Sequence, residues 1–224
     1  MTTLTTEPLA PLLDRLFSEA EGPGPARAGG GLAELSPEQR ASLSASTREK
    51  EYLTFYALAK DAYLAVDRET AELLYMLVRS TGARSVVEFG TSFGISTLHF
   101  AAGLRDNGGG RVITTEFEPS KATRARENFA AAGLADLIEL REGDALDTLA
   151  DDLPDDIDVV LLDGAKGLYL PVLELIEDHL RPGAMIVADN ADRTPQYLDV
   201  VRSADRGYMS VPFADDVELS MRLG

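Results

Sequence analysis

Three oxygen-bearing side chains close two apolar runs of the sequence. Asp163 sits in Leu161-Leu162-Asp163-Gly164-Ala165-Lys166-Gly167-Leu168-Tyr169, and Asp189 and Asn190 end Val187-Ala188-Asp189-Asn190. Neighbouring parallel strands would bring these side chains together as hard ligands for magnesium or another divalent cation, with waters and substrate oxygens completing the shell. The alternative is that the acids cap helices and Asn190 closes a turn. Lys166 follows Asp163 closely enough to approach the same substrate oxygen. Partial burial near a cation favours the neutral amine, which makes Lys166 a candidate base, against the plainer reading of a surface lysine paired with local acids.

A second group of residues suits a bound nucleoside. Glu88-Phe89-Gly90-Thr91-Ser92-Phe93-Gly94-Ile95-Ser96 places small residues directly after an apolar stretch, where the backbone can approach a ligand and Ser96 can hydrogen-bond near a helix start. Its glycine spacing differs from the dinucleotide pattern. Glu116, at the end of the next apolar stretch, could accept hydrogen bonds from ribose hydroxyls, while Glu118 could be a helix-start acid. Asp144 could take an adenine amino group or cap the short helix after it.

Positioning these residues requires strands that end where they begin. Ser85–Phe89, Arg111–Phe117, Ala135–Arg141, Ile157–Leu162 and Ala184–Ala188 read as strands. Helices are expected between them, from near Ile95, from Pro119 through Ala131, over Ala145–Leu149 and over Leu170–Leu180. The alternation favours a mostly parallel sheet covered by helices. Tyr208–Phe213 and Val217–Met221 could form a terminal antiparallel hairpin, with Pro212 limiting its place in the ladder. Before the first strand, Leu73, Leu74, Leu77 and Val78 form the apolar stripe of a helix that Gly82 ends. Residues 9–20 suit one amphipathic helix and 22–32 a Gly/Pro-rich flexible joint. Residues 1–62 are therefore expected to be a helical appendage, and 63–224 the main domain.

Composition excludes several other chemistries. The 224 residues carry 38 Asp and Glu against 21 Lys and Arg, a formal charge of -17, so long-range electrostatics oppose nucleic acid and anionic membranes. The absence of cysteine removes thiolate nucleophiles, disulfides and cysteine-based metal sites. His99 and His179, in apparent helices, read as structural. No apolar run approaches the roughly 20 residues that span a bilayer, and no signal-peptide pattern opens the chain, so a soluble cytoplasmic protein is expected.

The ordered combination of Leu64-Ala65-Val66, VVEFGTSFGIS at 86–96, TEFEP at 115–119, REGDA at 141–145, LLDGAKGLY at 161–169 and VADN at 187–190 resembles the class I, metal-dependent catechol and caffeoyl-CoA O-methyltransferase family. The resemblance implies a Rossmann-like fold: a seven-stranded, mostly parallel sheet with an antiparallel terminal hairpin and extra N-terminal helices. It implies S-adenosylmethionine over the strand carboxyl ends, lined by Val66, Glu88, Gly90, Ser92 and Ser96, with Glu116 on the ribose and Asp144 and Ala165 beside the adenine. It places a divalent cation on Asp163, Asp189 and Asn190 and makes Lys166 the general base. Methyl transfer to a hydroxyl of a small molecule with adjacent oxygens follows, and a homodimer is the family expectation.

The acceptor is less legible. Gly164 and Ala165 stand where catechol-specific relatives carry bulkier residues, and Tyr52, Phe55, Tyr56 and Tyr63 either wall a substrate site or pack between helices. Asp192, Arg193, Tyr197, Asp215 and Asp216 lie in segments that could form an outer pocket. A catechol-like ring, a polyketide or a sugar-derived compound would each supply vicinal oxygens. The competing readings are a noncatalytic small-molecule-binding or assembly protein that keeps the fold, and a metal-independent methyltransferase.

Overall fold

A computed structural model describes residues 1–22, 35–39, 42, 52–214 and 216–224. Most of the joint expected at 22–32 lies outside them. Strands β1 (Ser85–Phe89), β2 (Arg111–Glu116), β3 (Ile138–Glu142), β4 (Ile157–Leu162), β5 (Leu180–Ala188), β6 (Tyr208–Phe213) and β7 (Val217–Arg222) form a single sheet. Their order is β3-β2-β1-β4-β5-β7-β6, parallel except for the two pairings made by β7. The Rossmann-like fold with its terminal hairpin is thus observed, and Pro212 falls on the edge strand β6, where its missing N–H costs the ladder little.

Alternation along the central strands explains why both faces are covered. Val86, Val159, Leu161 and Val187 point into one apolar cluster, and their neighbours Val87, Val160, Leu162 and Ile186 into another. The first cluster is closed by α1 (Leu9–Glu21), α3 (Arg68–Thr81), α4 (Ile95–Asp106) and α5 (Pro119–Ala131). The second receives α6 (Ala145–Thr148), α7 (Tyr169–Ile176), α8 (Pro195–Val201) and Tyr52 from α2 (Tyr52–Leu58). Helix α1 adds Leu9, Leu12, Leu13, Leu16 and Phe17 to the same cluster as β1. Ahead of it, the Thr3 hydroxyl donates to Asp106 Oδ1 at 2.6 Å and the Tyr75 hydroxyl to Oδ2 at 2.7 Å, fixing the N-terminus to the end of α4.

Local signals set the helix boundaries. Asp67 caps α3 by accepting from the Thr70 N–H at 2.7 Å, and Gly82 ends it at φ 65°. The buried side of α3 is Thr70, Ala71, Leu74 and Val78, with Leu73 and Leu77 only half-buried, so the stripe is rotated from the expected one. Glu118 caps α5 through the Ser120 N–H, which identifies it as the helix-start acid and leaves Glu116 to the cleft.

Some boundaries differ from expectation, those of β3, α7 and β5 the most. Ala135–Leu137 is a 3-10 turn and β3 starts at Ile138, because the chain leaving α5 must turn before Ile138 can align with Val112. Helix α7 ends at Ile176 rather than near Leu180, which already pairs with Ile157 as the first residue of β5. The strand then shifts register across Arg181-Pro182-Gly183, a segment that interrupts the apolar pattern.

Candidate functional site

The strand order reverses between β1 and β4, and a cleft of about 550 Å3 opens there at the strand carboxyl ends. Gly90, Ser92, Glu116, Asp144, Asp163 and Ala165 all line it. The Asp163 N–H donates to the Phe89 carbonyl at 2.8 Å, drawing the β1 and β4 ends so close that a Cβ on Gly90 would lie 2.5 Å from the Asp163 carbonyl oxygen. Gly90 also has φ 109°, so no other residue suits this approach. Gly164 is equally constrained: its Cβ would fall 2.3 Å from the Phe89 ring, which occupies that space.

Glu116 is fixed by backbone donors. Oε2 accepts from the Ser92 N–H at 2.8 Å and Oε1 from the Glu118 N–H at 2.9 Å. Burial pushes its carboxyl up, opposed chiefly by the Lys121 ammonium, which also lines the cleft and is 2% exposed. Lys121 lies 5.4 Å from the centre of the Phe93 ring. Its burial was not legible in the sequence, where it reads as one more polar residue of α5.

Glu88, next to the last residue of β1, is fully buried, with Oε2 accepting from Thr114 at 2.6 Å and from Thr97. Its Oε1 is buried without a partner among the described residues, and burial raises the carboxyl to about 7. An unpaired buried carboxylate oxygen suits an ammonium or other donor arriving with a ligand. Ser96 sits in a small recess with Tyr63, Leu64, Ala65, Ser92 and Phe93. Val66 turns into the apolar core next to that recess.

At the other end, pairing of Leu162 with Ala188 sets Asp163 and Asp189 side by side. Burial and the facing Asp163 carboxylate push Asp189 well above the usual carboxylate range, and burial raises Asp163 as well. Lys166 Nζ donates to Asp163 Oδ1 at 3.2 Å, to the Tyr169 hydroxyl at 2.7 Å and to the Asp189 carbonyl at 3.3 Å. Asn190, at φ 49°, donates its amide NH2 to Asp216 Oδ2 at 2.9 Å, which leaves its carbonyl oxygen as the acceptor end. Among the described residues no group of three or more His, Cys, Asp or Glu gathers. The donor set here is two acids and one amide, whose crowded negative charge and oxygen chemistry fit a divalent cation.

The remaining expectations resolve as follows. Tyr197 is buried in the second core cluster against Tyr169, ring centres 5.9 Å apart, and so is no part of an outer pocket. Asp215 lies outside the described residues. Tyr52 and Tyr56 face the cleft, Phe55 packs into a satellite cluster with Ala59 and Ala62, and the Tyr63 ring meets Phe93 at a tilt of 51°, centres 4.4 Å apart.

Comparison with known proteins points the same way. A family model described as "Methyltransferase domain" matches residues 87–191. A protein of Mycolicibacterium smegmatis assigned as an O-methyltransferase is 35% identical over 178 residues, covering 67% of this chain and 81% of the relative. The catechol O-methyltransferase of Mycobacterium tuberculosis is 37% identical over 130 residues, 58% of either chain. Alignments with the catechol O-methyltransferases span only 58% to 62% of those relatives' length. Among solved structures, the O-methyltransferase TomG of Streptomyces achromogenes, involved in tomaymycin synthesis and solved with SAM, superposes with a TM-score of 0.66 at 26% identity, covering 85% of this chain and 92% of that one.

Proposed function

Since the chain belongs to the class I S-adenosylmethionine-dependent O-methyltransferases related to the catechol and caffeoyl-CoA enzymes, we propose that it transfers a methyl group from S-adenosylmethionine to a hydroxyl of a small molecule with adjacent oxygens, in a divalent-cation-dependent reaction. The observation that carries this reading is the surroundings of Asp163, which lines the same cleft as Glu116 and Asp144: the paired strand end beside it leads into Asp189 and Asn190, and Lys166 donates to its carboxylate.

When bound, S-adenosylmethionine supplies the electrophilic methyl group, and the cation supplies the positive charge that acidifies an acceptor hydroxyl and gathers its neighbouring oxygen. Glu116 binds the ribose hydroxyls, its orientation set by the Ser92 and Glu118 N–H groups. Glu88 and Ser96 form the donor's amino-acid end, with Gly90 and Ser92 as close backbone walls and Val66 packed behind them. Asp144 and Ala165 flank the adenine. Asp163, Asp189 and Asn190 hold the cation, and Lys166 removes the acceptor hydroxyl proton onto Nζ. The chain otherwise contributes by positioning, holding the acceptor oxygen in line with the methyl group and excluding water. Among the described residues no helix is long and apolar enough to cross a membrane.

A mass-spectrometric screen tests the reading: the protein is incubated with S-adenosylmethionine, with and without magnesium, across catechols and vicinally hydroxylated natural products. A magnesium-dependent gain of one methyl group is expected. Transfer that survives metal chelation would reject the cation, and cofactor binding without transfer to any acceptor would favour a noncatalytic role.

A further inference from the structure

Helix α2 lies outside every motif that carries the family resemblance, yet it reaches the nucleoside half of the cleft. The Tyr52 hydroxyl donates to Asp144 Oδ2 at 2.7 Å across 92 positions of sequence. Both side chains line the cleft, and Tyr52 is 5% exposed. One helical turn later Tyr56 faces the Asp163 and Glu116 carboxylates, so α2 straddles the opening from the adenine end toward the transfer end.

Asp144 has a second fixed contact. Its Oδ1 accepts from the Leu146 N–H at 3.1 Å, the cap of α6. These two donors, on different oxygens and from two different elements, help to hold the position and the plane of the carboxylate. A carboxylate oxygen accepts more than one hydrogen bond, so this clamp orients Asp144 for a further donor arriving in the cleft. Burial and the neighbouring Asp144 charge push the Tyr52 phenol upward, which keeps it a donor throughout the working pH range.

We propose that Tyr52 is a positioning residue for adenine recognition: its hydroxyl fixes the Asp144 carboxylate so that it reads the exocyclic amino group, making α2 part of the cofactor's specificity. The inference rests on the proposed S-adenosylmethionine site. Discrimination between an amino group and a carbonyl at that position depends on an oriented acceptor, because a misplaced carboxylate neither accepts well from the first nor repels the second effectively. Loss of the clamp should therefore lower the preference more than it lowers general affinity.

Isothermal titration of the full chain with S-adenosylhomocysteine and with S-inosylhomocysteine, in wild type and in Tyr52→Phe, tests this. The phenyl ring preserves the apolar wall and removes only the hydroxyl. The ratio of the two dissociation constants is internal to each protein, so a reduced folded fraction does not move it. Wild type should prefer the adenosyl ligand, and Tyr52→Phe should shrink that preference about fivefold, the worth of one oriented hydrogen bond. An unchanged ratio, whether both affinities hold or both fall together, overturns the positioning role. A wild type that binds S-adenosylhomocysteine without preferring it overturns adenine reading by Asp144, and the inference with it. A wild type that binds neither ligand overturns the cofactor site itself, a distinct failure visible before any variant is made.

Discussion

The Tyr169 hydroxyl accepts from Lys166 Nζ at 2.7 Å and donates its own proton to the Asp189 carbonyl at 2.7 Å. This phenol ties the candidate base after β4 to the backbone after β5, so the two strand ends that carry the proposed cation ligands also fix the amine. Tyr169 is fully buried between the Phe89 and Tyr197 rings, at 6.3 and 5.9 Å, and cannot follow Lys166 if the lysine swings away.

Tyr169→Phe keeps the ring packing and removes both hydrogen bonds. Loss of the two hydrogen bonds that hold the candidate base in place should lower kcat roughly tenfold. The S-adenosylhomocysteine dissociation constant should hold within about twofold, since Tyr169 does not line the nucleoside cleft. Single-turnover methyl transfer alongside calorimetric binding checks this split. Equal losses in both quantities would assign Tyr169 to general packing.

Glu116→Ala should act on the opposite quantity. Glu116 is held by two backbone N–H groups and faces the cleft, so its removal takes away the proposed ribose acceptor while β2 keeps its pairing. S-adenosylhomocysteine affinity should fall about ten- to hundredfold by titration calorimetry, as expected for hydrogen bonds to a charged acceptor. Retained affinity would remove Glu116 from the site.

The parts legible in the sequence and the parts that were not differ in range. β1 and β4 match the expected Ser85–Phe89 and Ile157–Leu162 because each is a short apolar run that ends at a glycine or an acid. Asp163 and Asp189 were placed together correctly because parallel neighbours align their carboxyl ends. The start of β3 was misread since a turn residue such as Leu137 is as apolar as a strand residue, and the start of β5 because Pro182 and Gly183 read as a break although the ladder resumes beyond them. The Tyr52–Asp144 bond and the burial of Lys121 depend on packing between distant segments, and no local pattern encodes either.

Gly164 and Phe89 form a size-matched pair at the cleft wall. Gly164→Ala brings a methyl group within 2.3 Å of the ring, which must then shift into the cleft or into Tyr169. Destabilisation of about 1–3 kcal/mol is expected from such overpacking, together with weaker S-adenosylhomocysteine binding. Adding Phe89→Leu should recover much of the stability, because the shorter side chain vacates the space the methyl group needs. Thermal melts of the two single variants and the double variant measure the coupling, and strict additivity would show that the two sites do not share that space.

Two buried groups give stability opposing slopes with pH. His99 is 3% exposed, donates Nδ1–H to the Ile95 carbonyl at 2.8 Å and meets the Phe17 ring of α1 edge-on; burial lowers it from 6.5 to about 4. Between those values the unfolded chain binds the extra proton, so the His99 contribution is complete above pH 6.5 and is lost as pH falls toward 4, by up to about 3 kcal/mol. Glu88 does the reverse: its carboxyl is raised from 4.5 to about 7, the folded chain holds the extra proton in that window, and stability falls as pH rises through it. The two slopes largely cancel from pH 4.5 to 6.5 in the wild type. Subtracting the wild-type denaturation curve from that of His99→Phe should therefore leave a negative slope over this range, and subtracting it from that of Glu88→Gln a positive one. A flat His99→Phe difference would mean that His99 titrates alike in the folded and unfolded chains, and that its burial between α1 and α4 carries no proton-linked stability.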